Sequence, residues 1–552
     1  MKDEFSKFAE AIYKKKYAHV LKTDSERKES WAMISRRVPK FVFGAVDTPK
    51  HIEDRMAELI RNRKSIPGGR YLYSTGRPYH QTQNCMLFRV ADSREGWGDL
   101  MNRSCLSLMS GAGIGCVYSE VREYGKPVRR TGGYSTGPLS PMQMVNDAGR
   151  HFKQGGDRNA AIWAGLHWWH GNIHKFIKIK DWLPEVRELK SRNFNFHAPM
   201  DNTNISVILD DGFFKAYYDE KDPRHSQAHS VFWETTRSML RTSEPGFSVN
   251  TGKDNDECLR NACCEITSCD DNDVCNLASI NMARINSLDE MREAVHVTTA
   301  FLLAGTVYSE VPFPAIDQIR TKNRRLGLGL MGLHDWLLRR GKIYGPDSEL
   351  EKYLEIYRDQ SRSSADYWAD KWGLSRPKKV CAVAPTGSIG IVAETTTGIE
   401  PVFCVAFKRR YVDGKSWHYQ YVVENVANKL IQDGIDPDSI EDSFTLASDV
   451  ERRLSFQAWV QKYVDHAISS TINLPAWGSE LNNEDTVQEF GRKFLKYLPE
   501  LRGLTCYTDG SRPGQPLTPI KYSTAIKHLG QDFVEQSIDV CEITGKGGTC
   551  GG

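Results

Sequence analysis

Five cysteines crowd the stretch from Cys258 to Cys275: these two with Cys263, Cys264 and Cys269. Inside it, Asn261-Ala-Cys263-Cys264-Glu265 sets an amide, a thiol and a carboxylate at alternating positions. Alternate side chains of an extended backbone share a face, so Asn261, Cys263 and Glu265 would converge on one ligand. Cys264 would point the other way as a small buried apolar group. A thiol can act as nucleophile or hydrogen-atom donor, a carboxylate as general acid or base, and an amide as an orienting donor. Zinc is the obvious rival for a cysteine cluster, yet no Cys-x-x-Cys knuckle occurs anywhere in the chain. A cysteine protease would need a histidine base, and this segment has none. His167, His170 and His174 are spaced like one helix face, where core or surface roles outweigh a metal site.

A second chemical stretch is Val383-Ala-Pro385-Thr386-Gly387-Ser388-Ile-Gly390. Small side chains and backbone NH groups suit a phosphate, but a Walker loop would need Gly-Lys-Ser/Thr. Taken alone, it reads as a turn at a strand end.

These residues must be carried by a framework. The first eighty or so residues read as helical, with Phe5, Phe8, Ile12 and Tyr13 on one face and Ile52, Met56, Leu59 and Ile60 on another. From Asn84 onward, short apolar runs alternate with glycine-rich loops such as Ser110-Gly-Ala-Gly-Ile-Gly115. Strands are expected at 205–209 and 380–384, and long helices at 288–311 and 350–372. Such alternation points to an α/β core. A proline- and glycine-rich end reads as a flexible tail.

The chain has 552 residues, enough for several domains or for one large α/β barrel with extensions. Its 40% hydrophobic and 26% charged residues exclude disorder, collagen and coiled coil. A net charge of +3 argues against a nucleic-acid or membrane-surface partner. The charged N-terminus and the lack of an ~18-residue apolar run lead to the expectation of a cytoplasmic protein. Thirteen cysteines are too sparse for a disulfide scaffold, so they are buried filler or working thiols.

Asn261-x-Cys263-x-Glu265, followed by Cys275-Asn-Leu-Ala-Ser-Ile-Asn281, resembles the active-site loop of the ribonucleotide reductase catalytic subunit. The resemblance continues in order through Asn84-Cys85-Met86, Arg324-Arg-Leu-Gly-Leu-Gly-Leu-Met-Gly332, the 383–390 loop, Thr397-Gly-Ile-Glu-Pro401 and Tyr463-Val-Asp-His-Ala-Ile-Ser-Ser-Thr-Ile-Asn-Leu-Pro475. Leu504-Thr-Cys506-Tyr507-Thr-Asp-Gly-Ser-Arg512 resembles the adenosylcobalamin-dependent branch, because the iron-subunit branch carries two adjacent tyrosines where Tyr507 stands alone. The glycyl-radical branch is disfavoured, since its C-terminal zinc cysteines are missing.

The resemblance implies a ten-stranded α/β barrel of two parallel five-stranded halves, with a central finger loop carrying the radical cysteine. It further implies an N-terminal helical region over 1–80 without an ATP cone, a barrel with effector loops over 81–530, and a redox tail over 531–552. Cys263 would carry a thiyl radical, Glu265 would be the acid/base, Asn261 would hold the sugar, and Cys85 with Cys275 would be the reducing pair. Pro385, Thr386, Gly387 and Ser388 would bind substrate phosphate. Cys541 and Cys550 would relay electrons from thioredoxin or glutaredoxin, although their spacing is wider than the family's. Asp92, Arg122, Gln154 and Arg158 would bind a deoxynucleoside triphosphate effector at a homodimer interface, with an ordinary surface pair as the plainer role for Asp92 and Arg122. No general shut-off by dATP is expected. The alternatives are the same reaction driven by a metal-containing small subunit, and a nucleotide-binding protein without catalysis.

Overall fold

Three helices begin the chain: α1 (Lys7–Lys16), α2 (Trp31–Phe43) and α3 (Lys50–Arg61). Serine side chains cap the first two, Ser6 accepting from Ala9 N and Ser30 from Met33 N, which satisfies NH groups that a helix start leaves unpaired. Ile52, Met56, Leu59 and Ile60 of α3 are buried, as their spacing requires. Tyr13 of α1 is buried and Ile12 packs on the core, but Phe8 faces outward beneath the guanidinium of Arg409. The region is not wholly helical either, since a strand at Ser65–Pro67 joins the main sheet.

This computed structural model describes residues 5–21, 24–130, 132–152, 160–193, 196–413, 416–511 and 517–535. Five strands then run parallel in chain order: β1 (Cys85–Arg89), β2 (Gly113–Val117), β3 (Ile162–His167), β4 (Thr203–Leu209) and β5 (Gly246–Val249). β6 (Asp273–Asn281) pairs parallel with β7 (Leu326–Met331), and β8 (Thr471–Leu474) with β9 (Gly503–Thr508). The gap between β7 and β8 is filled by the extended segment 380–384, through the parallel bridges Leu328↔Cys381 and Val383↔Ile468. Two five-stranded parallel halves result when that segment is counted. They meet antiparallel at β1/β6 and at β5/β9, which is the expected barrel. Strands covered on both faces are continuously apolar, and every residue of β2 and β7 is buried.

The helices α4 (Leu288–Tyr308) and α5 (Ser348–Trp372) fall where two long helices were expected and pack around the β6–β7 side. A short helix, α6 (Gly387–Ala393), follows the 380–384 segment directly. His167 ends β3 while His174 lies in the helix Ile173–Ile177, so the three histidines do not share one helix face. Among the described residues no cluster could hold a metal ion, and no helix is long and apolar enough to cross a membrane. The stretch expected as a tail from 531 starts as a strand, Asp532–Glu535, paired with Ser416–Val423 in a separate four-stranded sheet.

Candidate active site

Inside the barrel, Leu259–Arg260 pairs antiparallel with Thr267–Ser268, and residues 261–266 form the tip of this hairpin. The tip is a turn, not the extended run that alternation assumed. Cys264 N donates to the Asn261 carbonyl at 3.0 Å, and Cys264 adopts a left-handed φ of 66°. Cys263 and Glu265 still reach one cavity, because the reversal at Cys264 restores their common direction. Asn261 does not line that cavity. It is fully buried, where its Nδ2 donates to Cys85 Sγ at 3.1 Å and its Oδ1 accepts from Ile266 N at 3.0 Å.

The barrel grips the tip on both sides. Asn204 Nδ2 of β4 donates to the Ala262 carbonyl at 3.1 Å, and Ala467 N donates to the Glu265 carbonyl at 2.9 Å. A Cβ on Gly115 of β2 would sit 1.9 Å from the Arg260 carbonyl oxygen, so only glycine allows the hairpin to lie this close. At the hairpin base, buried Asp273 accepts from Ser268 Oγ at 2.6 Å, Arg325 Nε at 2.7 Å and Asn323 Nδ2 at 2.8 Å. This clamp lies two residues before Cys275.

Cys85 of β1 and Cys275 of β6 are direct cross-strand partners at the antiparallel seam between the two halves. Opposed antiparallel residues have Cα atoms roughly 4.5–5.5 Å apart, inside the ~4.4–6.8 Å range of a disulfide. Burial, reinforced by neighbouring Cys85 and Glu265, pushes the Cys275 thiol well above its usual range. Cys275 is therefore a protonated thiol, suited to giving hydrogen. Cys264 is not the buried packing thiol expected: it is half-buried and lines a second cavity beside Cys263.

A cavity of about 330 Å³ is walled by Cys85, Cys263 and Glu265 on one side and by Pro385, Thr386, Gly387 and Ser388 on the other. Thr386 holds a left-handed φ of 51°, costly for a β-branched residue, while its Oγ1 accepts from Gly398 N at 2.9 Å. Sequence reasoning missed Lys16 and Arg70, which also line the cavity. No periodicity or motif marks them, since both come from the N-terminal region.

A second cavity of about 240 Å³ also reaches Cys263, with Gly246, Gly503, Thr505, Cys506 and Tyr507 in its walls and neither Glu265 nor Cys85. Its Pro385, Ser469 and Thr471 are shared with a larger opening of about 560 Å³. Cys263 therefore stands between two chambers. Elsewhere, Arg122 is ion-paired with Asp92 at 2.6 Å and borders a depression whose wall carries Lys126, Arg129 and Arg130 together with Glu120 and Glu123. Gln154, Arg158, Cys541 and Cys550 lie outside the described residues.

The family model of the ribonucleotide reductase barrel domain matches residues 83–238, 248–359 and 369–496. A vitamin B12-dependent ribonucleoside-diphosphate reductase of Mycobacterium tuberculosis is 26% identical over 527 residues, covering 84% of this chain and 73% of that protein. An identically named protein of Thermoplasma acidophilum is 26% identical over 530 residues, covering 85% of this chain and 66% of its own length. A Mycobacterium phage D29 protein, provisionally named an adenosylcobalamin-dependent ribonucleoside-triphosphate reductase, is 25% identical over 542 residues and covers 81% and 74%. With a hairpin of this kind inside a barrel of this kind, and the barrel model matched along most of its strands, the chain belongs to the ribonucleotide reductase family.

Proposed function

We propose that the chain reduces ribonucleotides to 2′-deoxyribonucleotides for DNA synthesis by a thiyl-radical route dependent on adenosylcobalamin. The reading rests above all on one cavity shared by Cys263, Glu265 and Cys85, with Cys275 directly across the strand from Cys85. Cys263 gives up its hydrogen atom, and the resulting thiyl takes the 3′-hydrogen of the ribose. Glu265 accepts the 3′-hydroxyl proton, which assists departure of the 2′-hydroxyl as water. Cys85 and Cys275 supply two electrons and two hydrogens, closing into a disulfide, and Cys263 returns hydrogen to the 3′-carbon. Asn261 acts by holding Cys85 and the hairpin backbone in position. The barrel interior excludes the water that would divert a radical.

The chamber on the far side of Cys263, about 240 Å³, has room for an adenosyl group but not for a corrin, so only that end of a cobalamin could reach this sulfur there. Its glycines at 246 and 503 leave room, and Thr505, Tyr507, Ser469 and Thr471 offer polar contacts. Adenosylcobalamin, with only its adenosyl group in this chamber, would supply the hydrogen-abstracting radical by homolysis of its cobalt–carbon bond. The single tyrosine beside Cys506, whose thiol burial pushes up to about 12, supports the same branch, as do the relatives' names. Substrate phosphate is held by residues 385–388. A deoxynucleoside triphosphate effector is bound near Arg122 in a homodimer, with Asp92, Gln154 and Arg158. Thioredoxin or glutaredoxin reopens the disulfide through Cys541 and Cys550.

The test is reduction of a ribonucleotide mixture by the purified chain with a dithiol, with and without adenosylcobalamin and with no other protein. The expected result is product only with the cobalamin, and none from Cys263→Ser. Product only after adding a metal-containing small subunit would refute the cofactor reading, and nucleotide binding without any turnover would refute the reaction.

A further inference from the structure

We propose that Lys16, at the end of the N-terminal helix α1, is a substrate-binding residue that contacts the terminal phosphate of the ribonucleotide. The inference deepens the reading above and takes its substrate class from it. Two observations on separate parts of the chain carry it. The Lys16 side chain lines the same cavity as Cys263, Glu265 and Thr386, and its ammonium donates to Ser388 Oγ at 3.2 Å. The 383–390 loop has no cation of its own, so a polyphosphate held there would meet hydroxyls and amides but no positive charge from that loop. Lys16 brings an ammonium to it from 372 residues away in the sequence.

Its position is fixed at both ends of α1. At the start, Ser6 N donates to Glu394 Oε1 at 3.0 Å, and Glu394 is ion-paired with buried Arg63 at 2.7 Å. At the end, Lys16 meets Ser388. Glu394 closes α6 and Ser388 lies near its beginning, so α1 lies antiparallel along α6 and is pinned at each end. The packing delivers one long flexible cation to the cavity wall while its helix stays rigid. An ammonium is a compact point charge that can follow a phosphate, and a charge-assisted bond of this kind is roughly twice as strong as a neutral one. The cation also acts on the phosphate chain rather than on the ribose, so it belongs to binding and not to the radical steps.

The experiment compares wild type with Lys16→Gln and Lys16→Arg. Calorimetric titration of the chain without cobalamin uses CDP, CTP, CMP and cytidine as probes. Lys16→Gln is expected to weaken CDP and CTP binding about tenfold or more while changing CMP and cytidine little, and Lys16→Arg should recover most of the loss. In turnover, the same variant should raise KM by a similar factor with kcat within about twofold. Unchanged CDP and CTP affinity in Lys16→Gln, an equal loss for all four probes, or a wild type that binds no polyphosphate would each overturn the inference. A wild type that binds CDP tightly but never reduces it would instead refute the proposed reaction and leave the binding result standing.

Discussion

The most exposed joint in the site is the contact between Gly115 and the hairpin, and Gly115→Ala tests it directly. The added methyl carbon would lie 1.9 Å from the Arg260 carbonyl oxygen, 2.9 Å from its carbon and 3.2 Å from Asn261 Cα. An ordinary carbon–oxygen contact is about 3.3 Å or more, so one backbone must retreat by over ~1 Å. β2 cannot do so easily, being paired on both sides within the barrel. The Arg260 side chain is anchored to Val249 O at 3.0 Å and Asn250 Oδ1 at 2.6 Å, so the strain runs along the hairpin toward Cys263. Overpacking of this kind costs about 1–3 kcal/mol of stability. A shift of ~1 Å at a reacting atom costs on the order of 100-fold in rate. The assay is deoxyribonucleotide formation at saturating substrate together with thermal melting, beside Gly98→Ala as control. Gly98 lies in the helix Arg94–Met109, and a Cβ there would meet nothing within 4 Å. The control should keep its activity and gain up to about 1 kcal/mol from helix propensity. A Gly115→Ala enzyme with wild-type kcat and melting temperature would refute the claim that this close approach positions Cys263.

Two further outcomes follow from the thiols and one half-buried acid. After a single turnover without external dithiol, peptide mapping should find one new disulfide, Cys85 to Cys275. Cys275→Ser should form none and lose sustained turnover, and a disulfide between any other pair would break the assignment. Burial raises Glu424 to about 7, well above the unfolded value of 4.5, so its contribution is fully present below about pH 4.5 and is lost as pH rises through about 7. Glu424→Gln, whose amide oxygen can still accept from Val426 N and Ala427 N, should therefore be more stable than wild type at pH 8, by up to about 3 kcal/mol, with the gap closing by pH 5. Urea denaturation at both pH values measures it, and a pH-independent difference would contradict the cause.

Much of the framework was legible because parallel strands and long helices carry strong local signals. The strand expected at 205–209 lies within β4, and the helices expected at 288–311 and 350–372 are α4 and α5. The 380–384 strand was equally legible, although only isolated bridges tie it in. The hairpin tip was not. Its alternation of polar residues looks like a strand, while the left-handed Cys264 has no glycine to announce it. Helical spacing puts Phe8 on the face of Ile12 and Tyr13 but cannot tell which apolar residue on it meets a distant arginine. Lys16 was invisible for a stronger reason: its meaning comes from packing against α6, a contact across 372 residues of sequence.

The seam between β1 and β6 also has a mechanical side. Cys85 belongs to one half of the barrel and Cys275 to the other, so the proposed oxidation sews the halves together across a loop of well over a hundred residues. In chain-entropy terms such a stitch is worth about 5 kcal/mol against unfolding. The spent enzyme, waiting for its reductant, is then the hardest form to unfold, and each cycle of reduction loosens the barrel just before the next substrate is turned over.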